Sequence, residues 1–117
     1  MTEEMRRELT DAGFDVDDAL KRLLNNEGLY EKFLKRFIAD QNFTKLEEAV
    51  HSCKKQEAFD AAHTLKGLCG NLSINSLLDP VCRQVELFRA GDWDEGAALM
   101  DEVSKEYNKV VGLLSRL

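Results

Sequence analysis

The stretch Ala61-Ala62-His63-Thr64-Leu65-Lys66-Gly67-Leu68-Cys69-Gly70-Asn71-Leu72 has the hydrophobic spacing of an amphipathic helix. Its apolar residues recur at steps of three, four and three, the spacing of a narrow stripe that seals a helical core; they are Ala62, Leu65, Cys69 and Leu72. At about 100° per residue, a second stripe lies roughly 130° around the helix from the first. It consists of His63, Lys66, Gly67 and Gly70. The stretch therefore predicts a helix with one buried face and one face that carries an imidazole, a cation and two glycines.

The two glycines need an explanation, because each costs roughly 0.5–1 kcal/mol relative to alanine in a helix interior. Gly67 and Gly70 could permit close packing of a neighbouring helix, or one of them could end the helix as a C-cap. A third interpretation is that they keep the surface beside His63 bare, so that a partner can reach the imidazole. Their position on the polar side of the helix with Lys66 favours the third interpretation, while the other two stay open.

The chain before this helix also has helical spacing. Residues 2–12 predict a polar first helix that ends at Gly13, and Asp15 is expected to cap a short second helix. The stretch from Leu29 to Cys53 then predicts one bundle element, with either a kink or a short break at residues 40–42.

The chain after this helix predicts two more helices. The first has Leu78, Val81, Val85 and Phe88 on its apolar face, and Asp79 is expected to cap it with Pro80 in its first turn. The second runs without interruption from Trp93 to Leu114. No segment alternates with a period of two, so the chain is all-α. Four long amphipathic stretches with short connections predict an antiparallel four-helix bundle with one or two short N-terminal helices, in a single domain over residues 1–117.

Composition excludes several classes of protein. The chain is 44% hydrophobic, has no apolar run that approaches the roughly 20 residues of a membrane span, and begins with Met1-Thr2-Glu3-Glu4, which is unlike a signal peptide. We therefore expect a cytoplasmic protein that does not enter a membrane. A net charge of −6 argues against nucleic-acid binding, which relies on a basic surface.

The cysteines and histidines do not predict a metal site. Cys53, Cys69 and Cys82 are spaced too widely for CxxC chemistry, and with His51 and His63 they match no zinc-ligand pattern. Since each cysteine falls on or beside an apolar stripe, we expect buried, reduced thiols. His51 is expected to be a surface residue.

The segment His63-Thr64-Leu65-Lys66-Gly67, followed by small residues and Asn71-Leu72, closely resembles the histidine-containing phosphotransfer (HPt) domain family. The core motif of that family is His-x-hydrophobic-Lys-Gly. Leu29-Tyr30-Glu31-Lys32-Phe33 and Ala90-Gly91-Asp92-Trp93 also resemble helix starts and turns of the family, and the resemblance extends over roughly residues 14 to 115.

The resemblance implies that His63 accepts a phosphoryl group on Nε2 from a receiver-domain aspartate and passes it to another. Lys66 would neutralise the phosphoryl charge, while Gly67, Gly70 and Phe59 would belong to the surface on which the partner docks. The expected partners are a response-regulator receiver domain and a histidine kinase or hybrid kinase. The chain would be a phosphocarrier rather than an enzyme and would have no cofactor of its own, since the Mg²⁺ that phosphoryl transfer uses is expected on the receiver.

Three residues depart from the family pattern. Leu68 stands where Ser or Ala is usual, on the flank away from His63, and we expect it to alter helix packing. Ser73 stands where many members have Gly, which affects the helix exit. Asp60, one turn before His63, is often basic in relatives; an acid there could oppose the phosphoryl group or bias the imidazole toward protonation.

Two alternatives belong to other classes of function. The chain could be a helical adaptor that docks receivers or kinases without taking phosphate, which only Asp60 and Leu68 support. It could also be a structural or metal-binding bundle, but such a bundle would have no reason to keep Gly67 and Gly70 on the His63 face.

Overall fold

The computed structural model of the protein describes residues 1–117, which form eight helices and no β-strand. In chain order they are α1 (Glu3–Asp11), α2 (Val16–Arg22), α3 (Glu27–Ala39), α4 (Asn42–His51), α5 (Lys55–Asn71), α6 (Asn75–Arg89), α7 (Trp93–Ala98) and α8 (Met100–Leu114). The all-α prediction is confirmed, and two short helices precede the longer ones. None of the helices is long and apolar enough to cross a membrane.

Polar side chains fix where the first three helices begin. Thr2, Asp15 and Asn26 each accept a hydrogen bond from the backbone N–H three residues further on, at 3.1, 3.1 and 3.0 Å. Each bond satisfies one of the N–H groups that a helix start leaves without a partner. The prediction that Asp15 caps the second helix is confirmed.

A break at Asp40 separates α3 from α4, so the stretch from Leu29 to Cys53 is not one continuous helix. Asp40 has extended dihedrals (φ −69°, ψ 140°). Its carboxylate accepts hydrogen bonds from the backbone N–H and the side-chain amide of Asn42, at 2.8 and 2.9 Å. Of the two interpretations of residues 40–42, the break is the one that occurs.

The predicted start of α6 is wrong, because Asp79 is not its cap and Pro80 does not lie in its first turn. α6 begins at Asn75, and Pro80 lies buried inside it. Residues 13–15 and residues 73–76 pair through backbone hydrogen bonds of 2.9 and 3.2 Å, which hold the chain in place just as the helix begins. Burial of the Pro80 ring offsets the intrahelical hydrogen bond that its missing N–H removes.

The predicted uninterrupted final helix is also wrong, because Leu99 separates α7 from α8. Gly96 of α7 is buried, and its carbonyl accepts a hydrogen bond from Nε2 of Gln84 at 3.0 Å. An uninterrupted helix would pair that carbonyl with the Met100 N–H. The contact from α6 therefore favours a break at this point.

The core joins seven of the eight helices. Its 26 buried apolar side chains form one cluster, to which α7 alone contributes none. α5 packs against both α4 and α6, and α8 contacts α3, α4 and α6. Because four of the five buried α5 residues are small or medium-sized, neighbouring helices can approach it closely; the five are Ala58, Ala61, Ala62, Leu65 and Cys69.

The three cysteines are free thiols that differ in exposure. Cys69 is buried and Cys82 is partly buried, but Cys53 is exposed, so the expectation of a buried thiol is wrong for Cys53. α4 ends at His51, which is exposed as predicted, and Cys53 takes a φ of +55° in the following turn. The helical spacing that placed Cys53 on an apolar stripe therefore stops before it. Burial raises the pKa of the Cys69 thiol, which keeps that thiol protonated.

Candidate functional site

The buried face of α5 is the one that the sequence predicts. Ala62, Leu65 and Cys69 are at most 1% exposed, and Leu72, just after the helix, is 7% exposed. Burial of this stripe fixes the rotation of α5 about its axis. The opposite face is consequently turned outward, with His63 exposed in the middle of the helix and Lys66 half-buried one turn further on.

The glycines leave open space beside His63. Gly67 and Gly70 lie inside α5, which continues to Asn71, so neither of them ends the helix. A Cβ atom built on either glycine would meet no heavy atom within 4 Å beyond its chain neighbours and the backbone of α5 itself. Close packing and an early C-cap are therefore both excluded, and the surface beside the imidazole is bare.

The side of His63 that borders α4 is polar and carries an acid. Asp60 is exposed one turn before His63, and its carboxylate accepts a hydrogen bond from Nε2 of Gln56 at 2.9 Å. No basic side chain pairs with Asp60. It lines a groove of about 540 Å³ between α4 and α5, whose other charged residues are Lys45, Glu48, Lys54 and Glu57.

The side of His63 that borders α6 is aromatic and basic. Phe59 is half-buried, with its ring centroid 5.9 Å from that of the His63 imidazole and the two planes 29° apart. The Cζ atom of Arg89, the last residue of α6, lies 5.5 Å from the Phe59 ring centroid. Glu86, three residues earlier on α6, forms an ion pair with Arg89. Sequence reasoning named Phe59 but missed Arg89, because no spacing links a lone arginine to a residue on another helix.

Leu68 lies on the flank away from His63, as its position on the helix predicts. It is half-buried and lines an apolar hollow of about 420 Å³ that extends to α3. The other apolar residues of the hollow are Leu23, Phe33, Phe37 and Leu72. Leu68 thus contributes to packing between α5 and α3.

Ser73 shapes the exit from α5. Its φ of +54° lies in the left-handed region that favours glycine. Its hydroxyl donates to the Asp18 carboxylate at 2.8 Å and accepts from Arg22. The hydrogen bonds that Asp18 accepts from Ser73 and from Arg22 lower the pKa of Asp18. Arg22 also donates to the carbonyls of Gly70 and Asn71 at 3.0 and 3.1 Å, where a cation complements the helix dipole. These contacts secure the C-terminal end of the helix that carries His63.

The site offers a nucleophile and a cation but little else. The positions three and four residues after His63 hold Lys66 and Gly67, so no carboxylate lies one turn on. No three side chains of the metal-binding types lie together in a way that would hold a metal ion. A neutral imidazole that is exposed to solvent is a nucleophile. The arrangement can carry a covalently bound anion that a partner delivers.

Comparison with known protein families matches residues 2–112 to the Hpt domain. Searches of the curated proteins and of the solved structures found no match. The family match includes all eight helices up to residue 112, and it confirms the resemblance that rests on His63, Lys66 and Gly67. Members of the family are phosphocarriers that exchange phosphoryl groups with receiver domains and histidine kinases of two-component systems. The chain belongs to the Hpt domain family.

Proposed function

We propose that this protein relays a phosphoryl group between receiver-domain aspartates of a two-component phosphorelay and that His63 carries the group. One observation supports this most directly: the imidazole is exposed in the middle of α5 beside two glycines whose Cβ positions are open. A neighbouring protein can therefore bring an aspartyl phosphate up to the ring without a clash.

His63 attacks phosphorus through Nε2, the ring nitrogen farther from the helix backbone. The P–O bond to the donor aspartate breaks, the aspartate leaves as a carboxylate, and the ring gives up one proton. Lys66, one turn on, offsets part of the negative charge that arrives, though an exposed pair contributes only about 0–1 kcal/mol. Transfer to the next receiver reverses these steps.

The partner supplies the rest of the chemistry. Phosphoryl transfer depends on positioning and on charge stabilisation, to which Mg²⁺ contributes. This chain offers Lys66 but no metal-binding cluster, so we assign the Mg²⁺ to the receiver and treat this protein as the carrier. A histidine kinase or hybrid kinase is the other partner in this scheme.

The receiver docks, on this proposal, across the outward face of α5 that includes Phe59, Gly67 and Gly70. The helix is held in an antiparallel four-helix bundle, which is our interpretation of the contacts that α4, α5, α6 and α8 make with one another. In that arrangement α5 is rigid and only its outward face meets the partner.

Transfer from a phosphorylated receiver tests the proposal. The purified protein is incubated with the receiver and Mg²⁺, and label that is stable to base but labile to acid is followed on the wild type and on His63→Gln. We expect label on the wild type and none on His63→Gln. His51→Gln is the matched control, since it removes the other histidine, which is also exposed, and should leave labelling unchanged.

Two results would contradict the proposal. Binding of several receivers without any label would favour the adaptor function instead. Label that survives in His63→Gln would place the phosphoryl group on a different residue.

A further inference from the structure

The apolar hollow between α3 and α5 has the size and the lining of a site for a small molecule. Its volume is about 420 Å³, and most of its accessible lining is apolar. Sites for small ligands commonly enclose about 300–1,000 Å³ and combine apolar walls with a few polar groups. The hollow lies on the flank of α5 away from His63, so the proposed phosphoryl chemistry does not account for it.

The walls of the hollow are held in place by the core. Phe37 and Leu72 belong to the core and are 3% and 7% exposed. The other three apolar side chains are half-buried and pack against the core from different elements. They are Leu23 after α2, Phe33 on α3 and Leu68 on α5. Because the walls are already arranged, a ligand would lose little free energy in ordering them.

The rim of the hollow carries two arginines and one acid, and one of the arginines has no polar partner. Arg22 donates four hydrogen bonds to other groups. The Asp40 carboxylate accepts hydrogen bonds from Asn42. The Arg36 guanidinium forms no ion pair and no hydrogen bond within the protein, and its Cζ atom lies 5.6 Å from the centroid of the Phe33 ring. Arg36 is therefore free to bind an anion at the edge of the apolar surface.

The charges of the rim favour a monoanion. Arg22 and Arg36 outweigh Asp40, so the rim is positive in a chain whose net charge is −6. A planar guanidinium binds a carboxylate through two parallel hydrogen bonds. Asp40 would repel a second negative charge on the ligand. A second copy of this chain fits less well, because its own positive rim would face the first one.

We propose that this hollow is a binding site for a small amphiphilic carboxylate. The apolar body of the ligand packs against Leu23, Phe33 and Leu68, and its carboxylate accepts hydrogen bonds from Arg36. The site does not depend on the proposed relay, because His63 takes no part in it.

Titration of the isotope-labelled full chain with octanoate, followed by amide NMR, tests the site. Octan-1-ol and octylammonium are the matched neutral and cationic probes, since they have the same alkyl chain. We expect octanoate to shift the amide resonances of Phe33, Leu68 and Leu72 saturably, with a dissociation constant on the order of 1 mM for a ligand of this size. Octan-1-ol should bind more weakly, and octylammonium should bind most weakly of the three.

Arg36→Gln should weaken octanoate binding by about 3–10-fold and leave octan-1-ol binding unchanged, because it removes the charge and keeps the apolar walls. Lys35→Gln is the matched control. Lys35 is the neighbouring cation of α3 and is 55% exposed, but it does not line the hollow. Its removal should leave the affinity for octanoate close to that of the wild type. Both positions are exposed, so both variants should fold.

A second apolar groove provides a control within the same protein. It lies between α6 and α7, has a volume of about 540 Å³ and is lined by Leu87 and Leu99. Its charged residues are Arg83, Glu86 and Glu95, so its charge is negative where that of the hollow is positive. Octanoate should leave the amide resonances of this groove unshifted. Equal shifts at both places would show non-specific association with apolar surface and would overturn the proposal.

Three further results would overturn it. Octylammonium could bind as tightly as octanoate, or Arg36→Gln could keep the wild-type affinity, or Lys35→Gln could lose as much affinity as Arg36→Gln. A chain that dimerises at the concentrations of the titration and takes up no octanoate would assign the hollow to a second copy instead. None of these results concerns His63, so the relay proposal is tested separately by the labelling experiment.

Discussion

At the scale of single residues, Gly67 and Gly70 combine a cost in stability with a proposed benefit in docking. Both are helical, and neither is needed for close packing, since the space where a Cβ would lie is empty. Their cost is therefore the conformational freedom that a glycine loses when the chain folds. Removing that cost should stabilise the protein and, if the docking proposal holds, should impair its function.

Gly67→Ala should raise the free energy of unfolding by about 0.5–1 kcal/mol, measured by urea denaturation. The matched control is Gly96→Ala, which also adds one methyl group to a helical glycine. There the new Cβ would lie 2.5 Å from a ring carbon of Phe88, so we expect destabilisation. A Gly67→Ala protein that is less stable than the wild type would contradict the open space seen at this position.

A longer side chain at position 67 tests the docking proposal. Gly67→Gln should slow phosphoryl transfer from a receiver domain, because the side chain projects into the space that the partner would occupy. Phosphorylation by phosphoramidate should be unaffected, since that donor is small. Equal slowing with both donors would indicate a change at His63 itself.

At the scale of helices, α5 is positioned by side chains that α2 and α3 aim at its C-terminal end. The Tyr30 hydroxyl of α3 donates to the Leu72 carbonyl at 2.8 Å in a fully buried contact. Arg22 of α2 donates hydrogen bonds to the two preceding carbonyls, those of Gly70 and Asn71. Carbonyls at a helix end have no intrahelical partner, so these contacts both satisfy them and fix the helix that carries His63.

Tyr30→Phe should lower the free energy of unfolding by about 1–3 kcal/mol, because it leaves the buried Leu72 carbonyl without a partner. Tyr107→Phe is the matched control, since the Tyr107 hydroxyl makes no hydrogen bond within the protein and its ring is only half-buried. Urea denaturation at neutral pH measures both. If both variants lose a similar amount of free energy of unfolding, the hydrogen bond from Tyr30 to Leu72 is not the cause of the destabilisation.

The difference in the free energy of unfolding between the wild type and Tyr30→Phe should depend on pH. Burial raises the pKa of Tyr30 above its ordinary value of 10.0, so the folded protein keeps the phenol protonated where the unfolded chain ionises it. The contribution of Tyr30 is therefore complete below pH 10.0 and is lost as the pH rises above it. The stability difference between the wild type and Tyr30→Phe should shrink above that pH, and a constant difference would contradict the prediction. Tyr107, whose pKa is also raised, is present in both proteins and cancels.

Local patterns predicted the helices, and contacts between helices decided where the predictions failed. The sequence predicted the apolar stripe of α5 because each of its residues lies only three or four positions from the next. The start of α6 depends on pairing between residues 13–15 and 73–76, and the break at Leu99 depends on a hydrogen bond from Gln84. Arg89 likewise meets the Phe59 ring only through the packing of α6 on α5, so hydrophobic periodicity does not predict this contact.

At the scale of the whole molecule, one cluster of buried apolar side chains holds the chain together. Only α7 adds no residue to it, although Trp93 of α7 packs against its edge and stacks on Phe88 with ring centroids 5.1 Å apart. Gly96 of α7 is also tied to α6 through the side chain of Gln84. α7 is thus the helix that would separate first if residues 1–117 were not a single cooperative domain.

Urea unfolding followed by two probes tests whether residues 1–117 unfold as one cooperative domain. Far-UV circular dichroism reports on all eight helices, whereas Trp93, the one tryptophan, reports by fluorescence on the junction of α6 and α7. In a cooperative domain both probes follow the same transition, so we expect coincident midpoints and slopes. A fluorescence change at lower urea than the change in circular dichroism would show that α7 detaches on its own, and the single-domain prediction for residues 1–117 would then be wrong.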